Sequence, residues 1–186
     1  INRSWGSSRL SYSSFDEKIG IPEGLRDSVT GIFLKEINVN GPVQSLITSD
    51  DNTSFTMAVP YQHINHQKVI VDNNLYLGNG GRLALILGYQ RNTRSEFSDV
   101  TQPEKAGLLL QLETFTYDLK YFLNDIKGWH LSTGINGLSQ WNTNMGDEFL
   151  VPDYKLFDIG IYALAKKDWK KWTVSGGARY NFRTIS

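Results

Sequence analysis

Two kinds of connection, short turns and long polar loops, alternate strictly along this chain. In chain order they are long, short, long, short, long and short, at Glu17–Gln67, Gly78–Gly81, Asn92–Ala106, Asn124–Gly128, Asn142–Asp153 and Lys167–Lys171. Transmembrane β-barrels have short turns at their inner side and long loops at their outer side. The alternation therefore predicts a transmembrane β-barrel.

The segments between these connections alternate apolar and polar residues with a period of two, which is typical of strands. The pattern is clearest near the end of the sequence, where one face carries Trp172, Val174, Gly176, Ala178, Tyr180 and Phe182. Seven strands are predicted, at 3–16, 68–78, 82–92, 107–122, 129–142, 154–168 and 172–184. We therefore expect an all-β fold of antiparallel strands, with residues 1–186 forming a single β-barrel segment.

The segment 107–127 has a competing helical pattern. Its apolar residues Leu108, Leu112, Phe115, Leu119, Phe122 and Ile126 follow helical spacing. The same segment also alternates aromatic and apolar residues with threonine, aspartate and lysine, and Thr114 and Thr116 favour a strand. The neighbouring segments are all strand-like, so a strand is predicted here and a helix is the alternative.

Aromatic residues recur at a separation that suits a membrane. Trp129 and Trp141 share one face and lie twelve residues apart, as do Phe157 and Trp169. At about 3.3 Å per residue this is roughly 40 Å along a strand. A tilt of about 40° reduces that to roughly 30 Å along the membrane normal, near the separation of two aromatic girdles. The alternative is a soluble or periplasmic β-barrel or β-sandwich that buries these side chains in a core.

The number of predicted strands is odd, whereas bacterial single-chain barrels have an even number of antiparallel strands. The first and seventh strands would run in the same direction and could not close the barrel in the usual way. The chain is therefore expected to be a segment of a larger barrel, with further strands missing from it.

Composition narrows the classes of function. Lysine plus arginine and aspartate plus glutamate balance at 19 each, so no charge excess favours nucleic acid. The chain has no cysteine, and no apolar run is long enough for a transmembrane helix. His63 and His66 form a His-Xaa-Xaa-His motif, and a metal site would need a further ligand, for which nothing supports the nearby Asp50 and Asp51. The two histidines are therefore interpreted as polar loop residues. No nucleophile motif is present, so no enzyme, cofactor or metal is predicted.

Several short motifs occur in an order that resembles a known family. They are Gly20–Asp27, Val59–Ile64, Leu87–Asn92, Thr116–Tyr121 and Gly146–Pro152. Together they resemble the barrel portion of TonB-dependent outer-membrane receptors, particularly those of Bacteroides-like bacteria. The resemblance covers nearly the whole chain, and the order of the motifs supports it more than any one of them.

This resemblance implies a location in the cell outer membrane, in contact with lipid, and a plug domain that is absent from this sequence. It implies uptake of a small-molecule ligand, such as a ferric siderophore, a vitamin or a glycan, driven through TonB by way of the missing plug. The outer loops 17–67, 93–106 and 143–153 would form the entrance. Polar residues at the outer strand ends are the candidate ligand contacts: Gln62, His63, Arg91 and Arg94.

Overall fold

Long antiparallel strands dominate the computed structural model, which describes residues 2–21, 23–78 and 80–186. The elements in chain order are β1 (Asn2–Arg3), β2 (Gly6–Gly20), β3 (Leu34–Asn38), β4 (Pro42–Leu46), α1 (Ser49–Thr53), β5 (Tyr61–Tyr76), β6 (Arg82–Phe97), β7 (Leu108–Phe122), β8 (Trp129–Asn144), β9 (Tyr154–Trp169) and β10 (Trp172–Ile185). The main sheet has the order β1-β2-β5-β6-β7-β8-β9-β10, and all its neighbouring pairs are antiparallel. The predicted all-β fold is confirmed.

The main sheet is open, because its strand order is linear and β10 pairs only with β9 in the described part of the chain. Seven of its strands are long, and they correspond one to one with the seven predicted strands. Since each pair is antiparallel, β2 and β10 run in the same direction. An open sheet of this kind is compatible with the predicted partial barrel.

The two faces of the sheet have different chemistry. Strand pairing aligns the apolar residues of neighbouring strands on one face. One row of paired residues across the sheet consists of Leu85, Leu119, Ile135, Ile161 and Tyr180. The opposite face has rows of polar residues; one of these joins Asp72, Ile86, Asp118, Asn136, Gly160 and Asn181. We call these the apolar face and the polar face.

The strands slip steadily relative to one another across the sheet. Beyond the row of paired residues that contains Gln90 and Ile185, β6, β7, β8, β9 and β10 extend by 7, 6, 4, 2 and 0 residues toward the long loops. Toward the short turns, beyond the row that contains Arg82 and Gly177, the same strands extend by 0, 0, 3, 5 and 5 residues. The two ends together give an average slip of about 1.5 residues per strand, which at ~3.3 Å rise and ~4.8 Å spacing corresponds to a tilt of roughly 45°. Strands of transmembrane barrels have a tilt near this value.

The predicted loop 17–67 is wrong at both of its ends. β2 continues to Gly20 and β5 begins at Tyr61, and these two residues are paired. The connection itself contains the β3–β4 hairpin and α1. Alternation failed as a signal here because polar residues replace apolar ones on the apolar face beyond Tyr12. The strand predicted at 82–92 likewise extends to Phe97.

The helical alternative for 107–127 is wrong, since Leu108–Phe122 is strand β7. The turn that follows places Lys127 and Gly128 at φ 49° and 78°, which reverses the chain tightly. In the predicted turn Gly78–Gly81, Gly80 has φ 81°, and Asn79 lies outside the described residues. In the described part of the chain, helix α1 is far too short and too polar to cross a membrane.

A capping box at Thr48 and Asp51 orders the long β2–β5 connection. The Asp51 carboxylate accepts from the backbone N–H and hydroxyl of Thr48, both at 2.8 Å, and pairs with the Lys35 ammonium of β3. This ties α1 to the β3–β4 hairpin. The Lys35 ammonium, followed by the two Thr48 donors, lowers the pKa of Asp51 from 3.8 to about 2.

We expect Asp51→Asn to loosen this connection at neutral pH, because an amide lacks the charge that Lys35 and Thr48 bind. Faster hydrogen exchange in the peptide 48–54 would show it. Asp50→Asn is the matched control. The contribution of the carboxylate is present above pH 3.8 and is lost as pH falls through about 2, because the folded state lowers this pKa. Equal exchange in both variants would contradict the role of Asp51.

Candidate functional site

The structure divides the four predicted ligand contacts between the two faces. All four lie inside strands, near the ends that lead to the long loops. Gln62 pairs with Glu96, and Arg94 lies two residues from Glu96, so both belong to the polar face. His63 and Arg91 belong to the opposite face. A ligand on the polar face could therefore meet Gln62 and Arg94 but not the other two.

Gln62 and Arg94 converge on a third residue, Glu96. The Gln62 amide donates to Oε1 of Glu96 at 3.3 Å, and Nη2 of Arg94 lies 2.5 Å from the same oxygen. The Arg94 side chain stays 47% exposed, so its remaining donors are accessible. Glu96 was not predicted from the sequence, although it lies two residues from Arg94 and therefore on the same face of β6.

More amide and hydroxyl groups continue this site down the polar face. The amide of Asn92 lies 3.3 Å from Nδ1 of His66. On the next strands, Gln140 donates to the Thr114 hydroxyl at 2.9 Å and accepts from the Tyr154 hydroxyl at 3.0 Å. Such fixed donors and acceptors suit a polar solute better than an apolar one. None of these residues was selected from the sequence.

The β8–β9 loop, residues 145–153, lies at the outer end of the polar face. The Asn142 amide donates to the carbonyl of Pro152 at 3.0 Å, and Asp153 accepts from the backbone N–H of Asn144 at 2.6 Å. Gly146 of this loop lies against the backbone of Leu108, and on the polar face Leu108 and Thr114 are only 2% and 3% exposed. The loop is therefore hydrogen-bonded to the outer strand ends at this end of the sheet.

The β6–β7 loop, residues 98–107, is joined to the β8–β9 loop. The backbone N–H of Glu148 donates to the carbonyl of Gly107 at 2.9 Å, and Lys105 pairs with Asp147. This hydrogen-bonded contact with Asp147 raises the pKa of the Lys105 ammonium. The two loops therefore form one ordered rim beside the polar face.

Histidines do not form a metal site in the described part of the chain. His63 and His66 lie on opposite faces of β5, so the interpretation of His-Xaa-Xaa-His as a pair of loop residues is wrong in its location. The third histidine, His130, has Asp125 at 2.6 Å from Nδ1 and Asp168 at 3.0 Å from Nε2. Because the carboxylates occupy opposite ring nitrogens, this ring bridges two short turns and offers no free nitrogen to a nucleophile or a metal.

The motifs that suggest a TonB-dependent receptor have clear positions, apart from Pro22 in the first motif, which lies outside the described residues. Val59–Ile64 leads into β5, Leu87–Asn92 lies in β6, and Thr116–Tyr121 lies in β7. These positions agree with strands of one sheet but do not by themselves identify a family. Comparison with protein-family models, curated proteins and solved structures finds no match for this chain.

Proposed function

We propose that this chain forms part of the wall of an outer-membrane β-barrel that takes up a small-molecule ligand, in the manner of a TonB-dependent receptor. The observation that carries the proposal is a long antiparallel sheet whose apolar face is left uncovered. Short turns lie at one end of the sheet and ordered loops at the other, as in a barrel that spans a membrane.

Exposure of the apolar face supports contact with lipid. Ile161, in the middle of β9, is 54% exposed, and Tyr180 and Phe182 on β10 are 71% and 55% exposed. Among the described residues, Val59 and Leu108 are the only buried hydrophobic side chains. Exposed apolar patches of this extent mark a surface that another apolar phase or protein covers.

The aromatic residues at the two ends of this face support the same location. Trp129 and Trp141 are 42% and 38% exposed, and both lie on the apolar face of β8. Twelve residues at ~3.3 Å each, tilted by roughly 45°, span about 28 Å along the membrane normal. The apolar band of a membrane barrel is about 25 Å tall, with aromatic girdles at both sides.

The polar face suits a water-filled lumen. Two of its arginines have polar partners: Arg183 donates to Asp158 at 2.9 Å, and Arg179 donates to the amide oxygen of Asn136 at 2.7 Å. The site at Gln62, Arg94 and Glu96 lies on this same face, beneath the ordered rim. A solute entering from the loop side would meet these groups first.

Membrane fractionation of the full-length protein tests the proposal. We expect the protein in the outer-membrane fraction, resistant to carbonate washing and soluble only in detergent. The competing assignment is a soluble or periplasmic β-barrel or β-sandwich binding protein, in which a further sheet covers the apolar face. Recovery of the protein in a detergent-free soluble fraction would support that assignment and overturn ours.

Substitutions on the two faces test the location of the ligand site. We expect Arg94→Ala to weaken ligand binding by about tenfold or more, because a charged hydrogen bond contributes ~1.5–3 kcal/mol. His63→Ala, on the opposite face of the same strand ends, is the control and should bind as the parent does. Labelled ferric siderophores, cobalamin and oligosaccharides provide the binding assay. A loss confined to His63→Ala would place the ligand on the wrong face for a lumen.

A further inference from the structure

Two glycines of the polar face let long side chains lie across neighbouring strands. A Cβ at Gly134 on β8 would lie 2.5 Å from Cζ of Tyr162, so the absence of a side chain there leaves room for the ring. The Tyr162 hydroxyl donates to Asp118 on β7 at 3.3 Å, two strands away from its own. A Cβ at Gly160 on β9 would likewise lie 2.6 Å from Nη2 of Arg179, which crosses β9 and donates to an amide oxygen on β8 at 2.7 Å. Both side chains therefore point inward, away from the open edge at β10.

Two cations lie close to the Tyr162 ring as a result. The Lys120 ammonium is 5.5 Å and Cζ of Arg179 is 5.8 Å from the ring centroid, so the two charges are at most about 11 Å apart. Together with Asp118 and Leu164, these three residues line an open cleft of about 430 Å³ on the polar face. A cleft of this volume is large enough for a small solute.

The cleft has more positive charge than the protein neutralises. In the described part of the chain, neither Lys120 nor Arg179 forms an ion pair. Arg179 donates to the neutral amide oxygens of Asn136 and Asn181, at 2.7 and 2.6 Å. Asp118 is the one carboxylate among the described residues that line the cleft, and it accepts from the tyrosine hydroxyl. Two cations beside one carboxylate leave an excess of positive charge that an anion from outside the chain would stabilise.

We propose that this cleft binds a small anion with two or more carboxylate or phosphate groups, separately from the site at Gln62, Arg94 and Glu96. Since a charged hydrogen bond is ~2.8 Å long, a solute whose acidic groups lie up to about 6 Å apart can reach both cations. The inference goes beyond the proposed function, because the cleft can hold an anion whether the polar face lines a pore or faces bulk water.

Titration calorimetry of the full-length protein tests the site, with citrate as the carboxylate probe and pyrophosphate as the phosphate probe. We expect at least one of them to bind, and Lys120→Met and Arg179→Met each to weaken that binding by about tenfold or more, because each removes a charged hydrogen bond. The probe that binds identifies the acidic group. Trimethyl citrate, which keeps the carbon skeleton but lacks the charges, should not bind.

Lys68→Met is the matched control, because it removes a lysine of the polar face that does not line the cleft, and it should bind as the parent does. Lys120→Arg keeps the charge and should retain binding. If a methionine variant fails to fold, as judged by circular dichroism, the parent provides the test. Raising the ionic strength from about 0.01 to 0.1 M shortens the Debye length from ~30 to ~10 Å and should weaken binding.

A parent that binds neither probe overturns the anion site, as does binding that is indifferent to both methionine variants or to salt. Each of these results leaves the membrane fractionation, and with it the proposed function, unaffected. Recovery of the protein in a detergent-free soluble fraction would overturn the proposed function and leave the anion site intact.

Discussion

Ile161→Arg should lower the stability of the barrel in a membrane by about 2–4 kcal/mol. Ile161 lies on the apolar face of β9 and is 54% exposed, so an arginine there meets no steric obstacle. If this face contacts lipid, the arginine lies in hydrocarbon, and a charge near the midplane destabilises the barrel by about 2–4 kcal/mol. Chemical denaturation of the full-length protein refolded in lipid vesicles measures the loss.

Leu164→Arg is the matched control for this change. Leu164 lies on the same strand, is 48% exposed, and faces the opposite side, over Gly177. The substitution adds the same charge and removes a similar apolar group. We expect the loss in free energy of unfolding to be much smaller, since the polar face is in contact with water. Equal losses in the two variants would contradict the assignment of one face to lipid.

The strands and their faces could be predicted because alternation and short turns are local signals. Trp129, Ile135 and Trp141 were predicted on one face from spacing alone, and their pairing with β9 confirms it. Short turns then fix the register of each hairpin, since a slip by one residue would exchange the faces. The seven long strands follow from these two signals.

The outer strand ends could not be predicted in the same way. Beyond Tyr12 and Val69, the apolar face carries Ser14, Asp16 and Asn65, so alternation of polarity disappears. The pairing nevertheless continues to Gly20, because backbone hydrogen bonds to a long neighbouring strand do not depend on side-chain polarity. The error in the loop 17–67 has this cause.

The residues of the candidate site could be predicted by type, but not which of them lie on the same face, for a related reason. Within one strand, adjacent residues such as Gln62 and His63 must face opposite sides. Relating β5 to β6, however, requires the register, which joins Gln62 to Glu96 and His63 to Ser95. Without it, Glu96 could not be recognised as the residue that links Gln62 and Arg94. The ordered rim formed by two loops had no local sequence signal at all.

Gly137→Ala should strongly disrupt the sheet. A Cβ at this position would lie 2.0 Å from the backbone carbonyl oxygen of Asp158 and 2.6 Å from the hydroxyl of Tyr117. The Tyr117 ring reaches across Gly137, and its hydroxyl donates to that same carbonyl at 3.1 Å. Since backbone of a central strand must shift, we expect a loss of roughly 1–3 kcal/mol in free energy of unfolding.

Two further variants separate the causes of this loss. Gly176→Ala adds the same methyl group on the apolar face of β10, where no atom lies within 4 Å, and should be neutral or slightly stabilising. Tyr117→Phe removes the hydroxyl without adding a Cβ, and should cost about 0.5–1.5 kcal/mol. Urea denaturation in vesicles compares the three. If Gly176→Ala and Gly137→Ala lowered the free energy of unfolding equally, the loss would come from replacing glycine in a strand and not from the close approach of Asp158.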